Sequence, residues 1–266
     1  MGSAVRRMLN LVAAITGSLF PVFAANAQTD QAWPLISAGA YVAFFSPSSS
    51  KGKVPQSKPI VVKAFAMARN QVTNTDFLRF VDQHPEWRKT EVKAIFAERS
   101  YLQQWPSDLS FGAVGLVQNP VTNVSYFAAE AYCEAIDARL PSTDEWEYAL
   151  ADAGRNQKSV AQTALNWLAE PNHASLADVG TATPNFYGVS GLVGLIWEWT
   201  SDFDSFVTST ELRATDGKDS AQFCGNGGTG VKDTADYPAF MRFSMRASLK
   251  ANYTLSNLGF RCVRDL

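Results

Sequence analysis

The stretch GLVGLIWEWTSDF, Gly191 to Phe203, sets one carboxylate, Glu198, between two indoles, Trp197 and Trp199, directly after two glycines. If it is a strand, alternate residues face opposite sides, so the two indoles share one face and Glu198 takes the other. Two readings are open. The acid can meet solvent or an ion pair behind a buried aromatic strand, or it can hold a cation or polar group behind an aromatic wall. Arg242 and Arg246 in FMRFSMRASL lie four apart and would share one face of a helix. The soft-metal inventory is small: three cysteines, Cys133, Cys224 and Cys262, and two histidines, His84 and His173. No CxxC spacing occurs and the two histidines lie far apart in sequence, so neither a zinc centre nor a triad with a histidine base is expected.

These residues need elements to hold them. Thr73 or Asn74 can cap a helix in which Phe77, Phe80 and Val81 recur at helical spacing, with Pro85 ending it. Ser125 can cap a second helix that carries Ala131, Ala135 and Ala138 and stops at Pro141. Ser142 or Thr143 caps a third, with Glu145 or Trp146 in its first turn and Trp146 and Ala149 facing inward. One strand is expected over Ile60 to Ala68 and another in the closing SNLGFRCVRDL. Ser46 to Pro59 reads as loop, and so does the Gly- and Asp-rich stretch Gly217 to Pro238. Beyond the third helix regularity fades.

The first 27 residues are read as a signal peptide rather than fold. Arg6 and Arg7 precede an apolar run, Met8 to Ala24, too short and too broken by Gly17 and Pro21 to span a membrane. Ala25-Asn26-Ala27 then offers a small-x-small cleavage pattern, leaving Gln28 to Leu266 as one domain in the periplasm or medium. Sec and twin-arginine export both stay open. Of 23 basic residues, 21 remain after removal of Arg6 and Arg7, against 25 acidic ones, so the net charge moves from −2 to −4. There is no basic run, which argues against nucleic acid as a partner. An odd cysteine count in an oxidising compartment suggests one disulfide and one leftover thiol.

Several fragments then line up in order: ISAGAY, QVTNTDFLRFV, NPVTNVSYFAAEAYCEAIDARLPSTDEWEYA, PNFYGVSGLVGLIWEWTSD and RASLKANYTLSNLGFRC. Together they resemble the formylglycine-generating enzymes, also called sulfatase-modifying factors, across nearly all of residues 28–266. The resemblance implies an α+β fold, an elaborated C-type-lectin-like domain with little regular structure. It also implies a disulfide between Cys133 and Cys262.

The family's reaction rests on a cysteine pair that binds copper(I). The matching positions fall at about Asp233 and Pro238, neither of which is a thiol, and Cys224 stands alone nine residues before Asp233. Copper(I) selects thiolate or thioether ligands, so copper and sulfatase activation are not expected. The family's structural calcium implies Glu198 with the carbonyls of Gly194 and Ile196. The expected side-chain ligand is Gly191 here, and Leu195 replaces an Asn. Calcium therefore stays open against an acid paired with an arginine. The resemblance also places Trp197 at a substrate groove with Cys224 and Asp233 as candidate chemistry. Arg242, Arg246 and Tyr237 would line that groove, the arginines gripping a carboxylate or phosphate. Alternatively the arginines pair with Glu198 or Asp202. The implied role is maturation of a periplasmic protein or secreted peptide, with or without oxidoreductase chemistry. Oxidation of a siderophore precursor and a non-catalytic peptide-binding module are the alternatives.

Overall fold

In the computed structural model, Thr73 opens helix α1 (Asn74–Gln83) with a reciprocal cap. Its hydroxyl accepts the Asp76 N–H at 3.1 Å, while the Asp76 carboxylate accepts the Thr73 N–H at 3.3 Å. The structure describes residues 32–44, 58–155, 157–170, 176–204 and 237–266. Phe77, Phe80 and Val81 are buried at the spacing expected of them. Ser125 caps α2 (Tyr126–Ala135) by accepting the Ala128 N–H at 3.2 Å. This helix ends at Ala135 rather than at Pro141, because Asp137 takes a positive φ of 53° and turns the chain away. Ser142 and Glu145 form the capping box of α3 (Thr143–Leu150), which buries Trp146 and Ala149 as expected. Arg139 grips Glu145 with both terminal nitrogens at 2.7 Å and reaches Asp265, so one guanidinium ties the α3 start to the closing strand. Helix α4 (Gln157–Ala169) falls where no regular element was expected, and α5 (Tyr237–Ser248) carries Arg242 and Arg246.

No described strand exceeds three residues. β1 (Leu35–Ile36), β4 (Phe65–Met67) and β7 (Val263–Asp265) form an antiparallel sheet in the order β1-β4-β7, with Ile36 opposite Phe65 and Ala66 opposite Arg264. β2 (Gly39–Tyr41) pairs antiparallel with β3 (Ile60–Val62). β5 (Trp197–Glu198) pairs parallel with β6 (Leu258–Gly259). The single strand expected over Ile60 to Ala68 is thus two strands in different sheets. Every residue of β4 is buried, whereas β3 leaves Val61 80% exposed, so the two halves meet different surroundings. The closing strand divides in the same way into β6 and β7.

The architecture is α+β, as expected. One core gathers Phe77, Trp105, Tyr132, Trp199 and Phe260, and a second gathers Phe65, Met67, Trp146 and Tyr148. Cys133 on α2 and Cys262 before β7 are disulfide-bonded, with Cα atoms 5.7 Å apart, inside the usual range of about 4.4–6.8 Å. Among the described residues, no helix is long and apolar enough to cross a membrane. Residues 1–27 and the glycine-rich stretch 225–233 lie outside the described residues.

Candidate functional site

Strand β5 divides its residues between two jobs. Trp199, just past the strand, is fully buried in the first core and donates its indole N–H to the Val124 carbonyl at 3.0 Å. Trp197 sits against Trp167 of α4, ring centroids 4.9 Å apart and nearly perpendicular. Glu198 turns the other way, as the period of two requires. Its Oε2 accepts from Arg261 Nε at 2.7 Å and from Trp146 Nε1 at 3.0 Å. Its Oε1 accepts from Arg261 Nη2 and Gln71 Nε2, both at 2.8 Å.

Arg261 is 0% exposed. Its other N–H groups go to the carbonyls of Ala68, Arg69 and Ser190, so all five guanidinium donors are placed. The approach is tight at its neighbour Gly259, opposite Glu198. A Cβ there would strike the Val121 carbonyl and come within 2.7 Å of Ile196 Cδ1. Of the two sequence alternatives for Glu198, the structure has the ion pair, with Arg261 rather than Arg242 or Arg246 as partner. Asp202 is also engaged elsewhere, accepting from the N–H and hydroxyl of Thr143, both at 2.8 Å.

The donor set around Glu198 does not fit calcium. Calcium takes six to eight oxygens, yet both Glu198 oxygens already face N–H donors of a fixed cation. Gly191 supplies no side chain, and its carbonyl accepts from Gln71 Nε2 at 2.6 Å. Its φ of +65° is a conformation that glycine adopts without strain. No cluster of three or more His, Cys, Asp or Glu occurs among the described residues. Melting curves in excess calcium and in excess chelator are therefore expected to coincide. A melting temperature that rises with calcium would mean that the ion displaces Arg261.

In front of this ion pair lies a cleft, open to solvent, between β5, α4 and α5. Its walls are mostly apolar, with Trp146, Trp167, Trp197 and Leu192 prominent, and Arg242 and Arg246 project into it. The two arginines share a face of α5, as their spacing predicts, and are only 7% and 8% exposed. Arg246 Nη2 lies 3.4 Å from Glu147 Oε1, and Glu147, on α3, is itself buried. Arg242 lies over two aromatic rings, its guanidinium carbon 5.4 Å from the Phe44 ring centroid and 5.7 Å from that of Trp146. Burial pushes its pKa down to about 10, with Glu147 opposing the shift and Arg246 adding to it. Among the described residues, the buried Nε atoms of both arginines find no hydrogen-bond partner. Nearby, the Tyr41 hydroxyl donates to Asp144 at 2.8 Å and is held protonated by burial and then by Glu147.

Of the residues singled out from sequence, the structure brings Trp197, Glu198, Gly194, Ile196, Arg242 and Arg246 to this cavity. Tyr237 stands at the start of α5, 41% exposed, and is not among the lining residues. Cys224 and Asp233 lie outside the described residues. Sequence reasoning missed Gln71, Glu147, Trp167 and Arg261. Trp167 left a signal, since Val160, Ala164, Trp167 and Leu168 recur at helical spacing.

A family model described as sulfatase-modifying factor enzyme 1-like domain matches residues 20–266. The formylglycine-generating enzyme of Mus musculus is 27% identical, over 80% of this chain and 69% of that protein. The inactive C-alpha-formylglycine-generating enzyme 2 of Bos taurus is also 27% identical, over 98% of this chain and 96% of its own length. Among solved structures, PvdO from Pseudomonas aeruginosa covers 87% of this chain and 93% of that one, at 17% identity and a TM-score of 0.46.

Proposed function

The chain belongs to the sulfatase-modifying factor enzyme 1-like family, and on that premise we propose that it is an exported member that binds a peptide or small ligand in the Trp197 cavity. In this reading it assists maturation of a periplasmic protein or secreted peptide product and does not activate sulfatases. One observation carries the proposal: Pro238 lines the cavity where the family's second copper-binding thiol is expected. The other expected thiol position is Asp233. Among the described residues the cavity offers no thiol, no histidine and no carboxylate beyond Glu198, which Arg261 holds. Recognition groups are plentiful there, and groups for redox chemistry are not. Similarity over nearly the full length to a relative named inactive supports the same reading. Export is supported by the signal-type segment before Gln28 and by a disulfide, which persists in oxidising compartments.

The test is direct. Signal-cleaved protein incubated with a cysteine-containing sulfatase peptide, with and without copper, is expected to yield no aldehyde by mass spectrometry. Aldehyde formation that disappears in Cys224→Ala would overturn the proposal and give that lone thiol a catalytic role.

A further inference from the structure

Among the described residues, the cavity carries a charge that it does not balance. Glu198 and Arg261 neutralise each other. Arg242 and Arg246 face one buried carboxylate, Glu147, so two guanidinium groups meet one negative charge and one positive charge is in surplus among the described residues. The two arginines are not equivalent. Arg246 is the one within reach of Glu147. Arg242 has aromatic rings of Phe44 and Trp146 near its guanidinium. A guanidinium over aromatic rings can still present its N–H edge, the edge that matches a carboxylate with two parallel hydrogen bonds. Around that edge the walls are indole and aliphatic.

We propose that the ligand carries one carboxylate on an apolar body, and that Arg242 receives the carboxylate while Trp167 and Trp197 take the body. This rests on the reading of the cavity as a ligand site. A monoanion cancels the surplus charge. A phosphate monoester, with about −1.5 to −2 charges, would leave net negative charge in an apolar box. An ammonium group would meet its like. The burial that depresses Arg242 is a cost that an entering carboxylate offsets.

Titration calorimetry on the signal-cleaved protein tests this with phenylbutyrate, phenylbutyramide and phenylbutyl phosphate. A tetrapeptide ending in phenylalanine, free or amidated at its carboxyl end, asks whether the carboxylate belongs to a small acid or to a chain end. Each free acid is expected to bind about 10-fold or more tighter than its amide, the ratio given by one charge-assisted hydrogen bond. Phenylbutyl phosphate should bind no better than phenylbutyrate. Arg242→Gln should abolish the preference for acid over amide. Arg242→Lys, which keeps the charge and loses the fork, should reduce it strongly. The lysine variant also covers the case in which the glutamine variant does not fold. Equal binding of acid and amide overturns the carboxylate proposal but leaves the ligand-site reading intact. Acid preference that survives in both Arg242 variants overturns the role of Arg242. If no probe binds, or if the probes bind and Trp197→Ala leaves their titrations unchanged, the ligand-site reading falls as well.

Discussion

Arg261→Ala is expected to leave little folded protein at ambient temperature. The substitution strands Glu198 in the interior with its balancing charge gone. Removing one partner of a buried ion pair costs about 3–5 kcal/mol. It also takes donors from the buried carbonyls of Ala68 and Ser190, at about 1–3 kcal/mol each where nothing replaces them, while the Arg69 carbonyl keeps the Ser190 N–H. Together these rival a whole domain's stability of about 5–15 kcal/mol. Arg261→Lys should be nearly as damaging, because a point charge with three donors cannot serve two carboxylate oxygens and three carbonyls. Arg261→Met combined with Glu198→Gln should be more stable than Arg261→Ala, since no uncompensated charge remains. Urea melts by circular dichroism decide it. A single variant that melts like the parent, or a double variant less stable than the single, would show that this pair does not hold the fold.

Replacing both Cys133 and Cys262 by alanine should cost about 4–5 kcal/mol, the chain-entropy value for a cross-link spanning 129 residues. The same loss should follow reduction. Both cysteines are almost completely buried, so reductant should act only after the protein opens. Native protein in reductant should therefore keep its spectrum for as long as it stays folded, then melt at a lower urea concentration when refolded reduced. A loss under about 1 kcal/mol in the double variant would mean that the reduced unfolded chain is already compact.

The local parts of this fold were readable in the sequence and the distant pairings were not. Thr73, Ser125 and Ser142 announce helix starts because a cap involves residues three apart. Trp197, Glu198 and Trp199 announce their facing because a strand alternates. Nothing local joins Glu198 to Arg261, 63 residues on, or Glu147 to Arg246, 99 residues on. With several acids and arginines near the aromatic segments, charge alone let Arg242 and Arg246 compete for Glu198. The choice is made by β5 pairing with β6, which brings Gly259 opposite Glu198 and places Arg261 two residues further on. Periodicity misled for a related reason. Ile60 to Ala68 reads as one strand from its β-branched residues and partial alternation, but it serves two sheets, and a change of sheet has no residue code of its own. The disulfide was legible only through resemblance, because three cysteines allow three pairings and no local rule selects among them.

The ion pair, the disulfide and the last strand all depend on Arg261, Cys262 and Val263, three consecutive residues. A ribosome makes Cys133 and Glu198 long before it makes their partners. Until then Glu198 has no arginine, Cys133 has no thiol to join, and β4 lacks one of its two neighbours. A nascent chain of this sequence therefore cannot settle into its native core partway through synthesis, whatever helices it forms locally. Under the proposed export, the same late closure keeps the chain threadable while it crosses a membrane. A premature stop at codon 261 would remove the ion pair, the disulfide and the strand at once, although residues 1–260 would all be made.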